Sequence, residues 1–158
     1  MRKVISWKGS GLALCAACLG LGLVPAPSVS ARKPALTMFP AGSRERKAIL
    51  DVIRGPVARE LRTSPTRFLF KVNRLRALDG WAFLDAQLVQ PNGRPFDFHG
   101  TPFEADVKEG IFGDGVFALF HRRGGKWSIV THVLGPTDVT WDGWDRRYRA
   151  PRALFPYP

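Results

Sequence analysis

Apolar residues recur at helical spacing in the segment that follows Ser43. The residues of this pattern are Ala48, Ile49, Val52, Ile53, Val57 and Leu61. The spacing predicts an amphipathic helix with one apolar stripe, and Ser43 is a suitable N-cap residue. Because Gly55-Pro56 interrupts the pattern, we predict a helix to about Arg54, a kink or break, and a further turn to about Leu61.

The period of the apolar pattern then changes to two, which is typical of strands. The alternating residues are Phe68, Phe70 and Val72, followed in the opposite phase by Leu75 and Ala77. This change of phase predicts a β-bulge near Asn73-Arg74. Asp79-Gly80 is a tight-turn signal, so Trp81 to Val89 is predicted to return as the second strand of a hairpin. The long connection from Pro91 to Gly115 is expected to hold one short element.

A second hairpin is predicted between Val116 and Leu134, around a Gly124-Gly125 turn. With a two-residue turn, the core side carries Val116, Ala118, Phe120, Trp127, Ile129, Thr131 and Val133, with Phe120 opposite Ile129 and Ala118 opposite Thr131. The opposite side carries Phe117, Leu119, His121, Ser128, Val130 and His132. This second side is apolar for a solvated surface, so we expect the C-terminal segment or a partner to cover it.

The segment from Gly135 to Pro151 combines tryptophans, aspartates and arginines. We predict a helix that starts at Val139 with Asp138 as N-cap and ends at Pro151. The residues on its inner face are Trp141, Trp144 and Tyr148. Its solvated face is predicted to carry two i,i+4 ion pairs, Asp142 with Arg146 and Asp145 with Arg149.

The same segment allows a second interpretation, in which it binds a ligand instead of closing the core. Aromatic faces beside carboxylates and guanidinium groups suit a polysaccharide. The candidate binding residues are Trp141, Trp144, Arg146, Tyr148 and Arg149. Closure of the sheet is the preferred interpretation, because the helical spacing of the aromatic residues coincides with the two ion pairs.

Together these elements predict an α+β domain. Its N-terminal helix packs on a curved antiparallel sheet of about four strands, with a short C-terminal helix and a docked tail. The order helix, "GWAFLDAQ", long loop and "DGVFALFHRRGGKWSIVTHVLGPTDV" resembles the cystatin-like and NTF2-like α+β rolls, through Trp81 and the hairpin around Trp127. The resemblance covers about Ser43 to Val139. It implies a concave sheet that in some relatives holds a ligand or an active site, and it transfers no function.

The resemblance leaves an enzymatic alternative, because NTF2-like enzymes use acids or histidines that project from strands. Asp85 and His132 are the available positions. However, Asp85 is predicted to lie opposite Arg74, where an ordinary cross-strand ion pair accounts for it. Cystatin-type inhibition is disfavoured because Pro91 follows Gln87–Gln90 where those inhibitors have glycine.

Histidine and cysteine placement predicts no metal site and no cofactor. On the predicted hairpin, His121 and His132 are roughly 13 Å apart, too far to share a metal ion. Both cysteines, Cys15 and Cys18, fall in the first 31 residues.

Those first 31 residues are predicted to be a secretory signal peptide. They combine a basic start, an uncharged apolar run from Gly11 to Val24 and the small-x-Ala site Val29-Ser30-Ala31. The run is short for a bilayer span, which needs about twenty residues, so an uncleaved anchor is disfavoured, as is lipidation of either cysteine. We predict cleavage after Ala31, a periplasmic or secreted product without a transmembrane segment, an extended arm at 32–42, and one monomeric domain at 43–158.

The chain is basic, with 24 Lys and Arg against 13 Asp and Glu. Three of the basic residues, Arg2, Lys3 and Lys8, and none of the acids precede residue 32, so the exported part carries a formal charge of +8. A basic exported protein meets anionic lipid headgroups or envelope polymers, not nucleic acid. We therefore predict a non-enzymatic binding or accessory domain for anionic or polymeric cell-envelope material, and the alternative is an NTF2-like enzyme that uses Asp85 or His132.

Overall fold

A computed structural model describes residues 35–158; the predicted signal peptide and its cleavage site lie outside the described residues. The elements are β1 (Thr37–Met38), α1 (Arg44–Glu60), β2 (Leu69–Leu78), β3 (Trp81–Val89), α2 (Glu104–Lys108), β4 (Gly115–Arg123), β5 (Lys126–Leu134), α3 (Trp144–Tyr148) and a 3-10 turn at Arg152–Leu154. The strands form one antiparallel sheet in the order β1-β2-β3-β4-β5. The domain is α+β, with five strands instead of about four because the arm adds β1 at the edge beside β2.

Helix α1 runs through Gly55 and Pro56 as one helix of 17 residues, so a break after Arg54 is wrong, whereas the helix does extend to Glu60 with Leu61 as its C-cap. Ile53 and Val57, on either side of the Gly-Pro pair, are fully buried in the same core cluster. This shared burial favours a continuous helix although Pro56 cannot donate a backbone hydrogen bond.

The first hairpin has the predicted bulge and turn. The β2–β3 register shifts between Val72 and Arg74, which leaves Asn73 as the extra residue. Asp79 and Gly80 form the turn with φ values of 51° and 76°. Positive φ at both central residues is what a type I′ turn requires, and the twist of that turn matches the right-handed twist of the flanking strands.

The main core lies between α1 and one face of the sheet, which we call the α1 face. The long connection between β3 and β4 contributes to it: Phe96 and Phe98 are buried there, Phe112 packs against Phe98, and Phe103 stacks on Phe112. The connection therefore fills one part of the core with aromatic rings, and α2 is its short predicted element.

The second hairpin contains a bulge that the sequence pattern did not indicate. Phe120 pairs with Ile129 as predicted, but the register shifts between Leu119 and Phe120, and Ala118 pairs with His132 instead of Thr131. Because a bulge inserts one residue, it reverses the alternation of side chains beyond it. His132 accordingly lies on the α1 face, and Val133 packs in the cluster on the opposite, outer face.

The C-terminal segment, residues 135–158, packs on the outer face of the sheet. Its buried side chains share a cluster with Phe83 and Leu119, and they are Trp141, Trp144, Ala150, Leu154 and Phe155. Helix α3 begins at Trp144, not at Val139, because Gly143 at φ 78° interrupts the turn before it.

The ion pairs predicted for this helix are not formed. Within residues 35–158, Asp142 has no ion-pair partner, and Asp145 is buried instead of solvated. The carboxylate of Asp145 accepts a hydrogen bond of 2.8 Å from the hydroxyl of Tyr157 and lies 3.8 Å from Arg152. With only five residues in α3, the pattern of a longer helix does not apply.

Candidate functional site

The aromatic residues predicted as a binding platform point inward. Trp141 and Trp144 are only 8% and 6% exposed, and Tyr148 packs partly buried against the same outer-face cluster. Arg146 and Arg149, the other predicted binding residues, are exposed. The aromatic residues of the predicted platform therefore cover the sheet. The two exposed arginines have no exposed aromatic surface from these residues beside them.

Asp85 and His132, the alternative pocket residues, lie on opposite faces of the sheet. On the outer face, Asn73 donates a hydrogen bond of 3.1 Å to Asp85, and in the described part of the chain the expected ion pair with Arg74 is absent although the two residues are opposite in register. On the α1 face, Nε2 of His132 lies 2.5 Å from Oε1 of Glu60. The structure does not bring Asp85 and His132 together in one pocket.

The two hairpin turns lie side by side at one end of the sheet. The backbone N–H of Arg122 donates to the carbonyl oxygen of Gly80 at 2.7 Å, which joins the second hairpin to the turn of the first. The residues from Arg122 to Lys126 are all exposed, and Trp127 follows them half-buried. We call Arg122–Trp127 the hairpin tip.

Glu45, in the first turn of α1, holds the hairpin tip in place. The Nε1–H of Trp127 donates to Oε2 of Glu45 at 2.8 Å, and the guanidinium of Arg122 lies 3.4 Å from Oε1. The same guanidinium lies over the indole ring, 5.7 Å from its centroid. Ser43 caps the helix at this point, and a carboxylate is favourable in a first turn. One carboxylate thus orients both the arginine and the tryptophan.

Two open grooves lie next to Arg122 and Trp127, and these two residues line both grooves. The helix groove, on the side of α1, has a volume of about 580 Å³. The strand groove, on the side of β1, has a volume of about 240 Å³. The helix groove is also lined by Arg44, Glu45, Ala48, Val52, Gly125 and Lys126, and the strand groove by Ala35, Thr37, Phe39, Ala77, Leu78, Asp79 and Gly80.

The helix groove carries a net positive charge. Arg44, Arg122 and Lys126 line it against one carboxylate, that of Glu45. Among the described residues, Arg44 and Lys126 have no carboxylate within ion-pair distance. The hairpin at 115–134 contains no Asp or Glu. An anionic group can therefore meet unpaired cations beside the apolar surface of α1 and the indole ring.

Across residues 35–158, no group of three or more His, Cys, Asp or Glu side chains is arranged to hold a metal ion. Over the same range, no helix combines the length and the apolar character needed to cross a membrane. No family model, curated protein or solved structure matches the chain. The fold alone assigns no function.

The sequence contained only part of the signal for this site. Arg122, Arg123 and Lys126 cluster around two glycines, and that cluster is visible in the sequence. The contact that makes the cluster one wall of a groove joins Glu45 to Trp127. Since those two residues are distant in the chain, no local pattern could indicate their contact.

Proposed function

We propose that the protein is an exported, non-enzymatic binding domain whose hairpin tip binds anionic groups of cell-envelope material. The observation that carries this proposal is the helix groove, in which Arg44 and Lys126 are exposed and have no carboxylate partner among the described residues. Phosphate or carboxylate groups of a ligand would supply the missing counter-charge.

The contacts made by the charged residues of the helix groove support binding over catalysis. Glu45 is already engaged by Arg122 and Trp127, so it serves to position them. Arg44 and Lys126 are left to contact the ligand. No histidine, cysteine, serine or threonine lines the helix groove, so it lacks the side chains that most often act as nucleophile or general base.

The fold supports the proposal that the domain is related to the cystatin-like and NTF2-like α+β rolls. The order of helix, hairpin, long connection and hairpin, on which the resemblance rests, is the order of α1, β2–β3, the connection and β4–β5. The ligand site we propose is at one end of the sheet, beside the turns, and does not depend on that relationship.

Binding of a soluble polyanion tests the function. We expect the protein to bind polyphosphate, and not the neutral polymer dextran, in a fluorescence or calorimetric titration. Replacement Lys126→Gln should weaken binding about two- to fivefold, the effect of removing one exposed charge contact. The matched control is Lys71→Gln, which removes another exposed lysine, from β2 at a distance from the tip.

The comparison of the two lysine variants separates a site from diffuse attraction. An equal loss of affinity in both variants would show that only the net charge matters, and would contradict a site at the hairpin tip. Binding of dextran as tight as binding of polyphosphate would contradict an anionic ligand altogether.

A further inference from the structure

Two exposed apolar side chains alternate with Ala35, Thr37 and Phe39, which line the strand groove. Leu36 is 43% and Met38 is 68% exposed. Strand β1 pairs antiparallel with β2, Thr37 opposite Ala77, so the chain before Thr37 runs toward the Asp79-Gly80 turn. Since side chains alternate along a strand, Leu36 and Met38 are on the outer face, away from the groove that Thr37 lines.

Trp81 continues this apolar edge on the outer face. It is the first residue of β3, directly after the turn, and it is half-buried. Its ring lies 4.4 Å from that of His121, centroid to centroid. Tryptophan combines a large apolar ring with a polar N–H group, and it is enriched at membrane–water interfaces.

Basic residues follow at the same end of the sheet, in the hairpin whose His121 pairs with Trp81. Arg122, Arg123 and Lys126 are exposed, and the nearby acids are Glu45, which Arg122 neutralises, and Asp79 in the neighbouring turn. The end of the molecule therefore combines positive charge with apolar side chains that water does not favour.

We propose that the hairpin tip and the β1 edge bind the surface of a bilayer that contains anionic lipids. The headgroups occupy the grooves beside Arg122, and Leu36, Met38 and Trp81 enter the interface. This proposal rests on the proposed function, because it names lipid headgroups as the source of the anionic groups. A soluble polyanion needs only the cations, whereas an interface also stabilises the exposed apolar side chains.

Vesicle sedimentation tests the proposal with the full chain and its variants. We expect binding to vesicles of phosphatidylglycerol and phosphatidylcholine, and much weaker binding to phosphatidylcholine alone. Lys126→Gln should weaken partitioning about fivefold, the usual contribution of one basic residue near an anionic surface. Met38→Ser should weaken it about three- to tenfold, through lost apolar burial.

The chain provides matched controls for both changes. Leu69→Ser removes a leucine that is 45% exposed at the other end of β2, paired with Val89, and Lys71→Gln removes a lysine beside it. We expect both variants to partition like the parent. Every variant carries the same residues 1–34, so any contribution of those residues cancels in the comparison. Unchanged melting midpoints show that each variant is folded.

The outcomes separate this proposal from the proposed function. If polyphosphate binds and anionic vesicles do not, the bilayer proposal is wrong and the proposed function stands. If neither binds, both are wrong. If Met38→Ser and Leu69→Ser weaken vesicle binding equally, the apolar edge beside the hairpin tip is not the part that enters the interface, and the proposal is overturned.

Discussion

Gly135 is the residue at which the outer-face segment leaves the sheet, and only glycine fits there. Its φ is 71°, a value that other residues adopt at a cost. A Cβ atom at this position would overlap the ring of Phe112, which packs against the core on the α1 face. The position therefore combines a backbone constraint with a steric one.

Gly135→Ala is expected to lower the free energy of unfolding by about 3 kcal/mol, through strain at positive φ and displacement of the Phe112 ring. The matched control is Gly93→Ala, since Gly93 has φ 82° with nothing within 4 Å of a built Cβ; it should cost only about 1 kcal/mol. Urea denaturation measures both. Equal costs would show that Phe112 moves aside freely.

At the scale of elements, the sequence predicted what depends on neighbouring residues. The N-cap at Ser43, the Asn73 bulge and the Asp79-Gly80 turn are local, and the structure has all three. The bulge in the second hairpin, where Val130 is the extra residue between the pairs Leu119–Thr131 and Phe120–Ile129, is not visible locally, because apolar residues occupy consecutive positions there and mark no change of phase. One extra residue moved His132 to the α1 face, and the position of a candidate site residue changed with it.

For the C-terminal helix, the sequence predicted the buried tryptophans but not the length of the helix. The spacing of Trp141, Trp144 and Tyr148 fits a long helix, but the structure has only five helical residues there. Trp141 and Trp144 are buried and Tyr148 is half-buried, and Gly143 in the left-handed region separates Trp141 from the short helix that carries the other two. Apolar spacing thus indicated which side chains are buried, and it did not determine the backbone that buries them.

Trp144→Ala tests whether this segment is structural. Trp144 is 6% exposed and packs edge-on against Phe83, 6.4 Å between centroids. We expect a loss of about 3 to 5 kcal/mol in the free energy of unfolding, as for other buried aromatic residues. The control Val139→Ala, at a side chain 56% exposed, should change it by less than about 0.5 kcal/mol. A parent-like melting curve for Trp144→Ala, with polysaccharide binding lost, would favour the platform interpretation.

At the scale of the whole molecule, each of the two segments that pack on the sheet, the β3–β4 connection and the C-terminal segment, contains one carboxylate with a lowered pKa. Beside the core on the α1 face, Glu104 accepts from Lys108 at 2.7 Å and from the Gly100 N–H at 2.8 Å, which lowers its pKa from 4.5 to about 2. On the outer face, the hydrogen bond from Tyr157 lowers the pKa of the buried Asp145 carboxyl. Glu104 thus holds together parts of the β3–β4 connection, and Asp145 holds together parts of the C-terminal segment, through its contacts with Tyr157 and Arg152.

These two carboxylates predict how the protein responds to acid. A lowered pKa in the folded state stabilises the fold above the unfolded-state value, 4.5 for Glu104 and 3.8 for Asp145, and that stability is lost as the pH falls below it. The free energy of unfolding, measured in urea from about pH 5.5 to about pH 2.5, should therefore decline. Glu104→Gln and Asp145→Asn should each flatten the decline, whereas Glu109→Gln, at an exposed carboxylate on the same connection, should keep it.

Since the two groups lie on opposite faces of the sheet, the effects of Glu104→Gln and Asp145→Asn should add in the double variant. A parent-like decline in Glu104→Gln would mean that the contacts of this carboxylate do not stabilise the long connection.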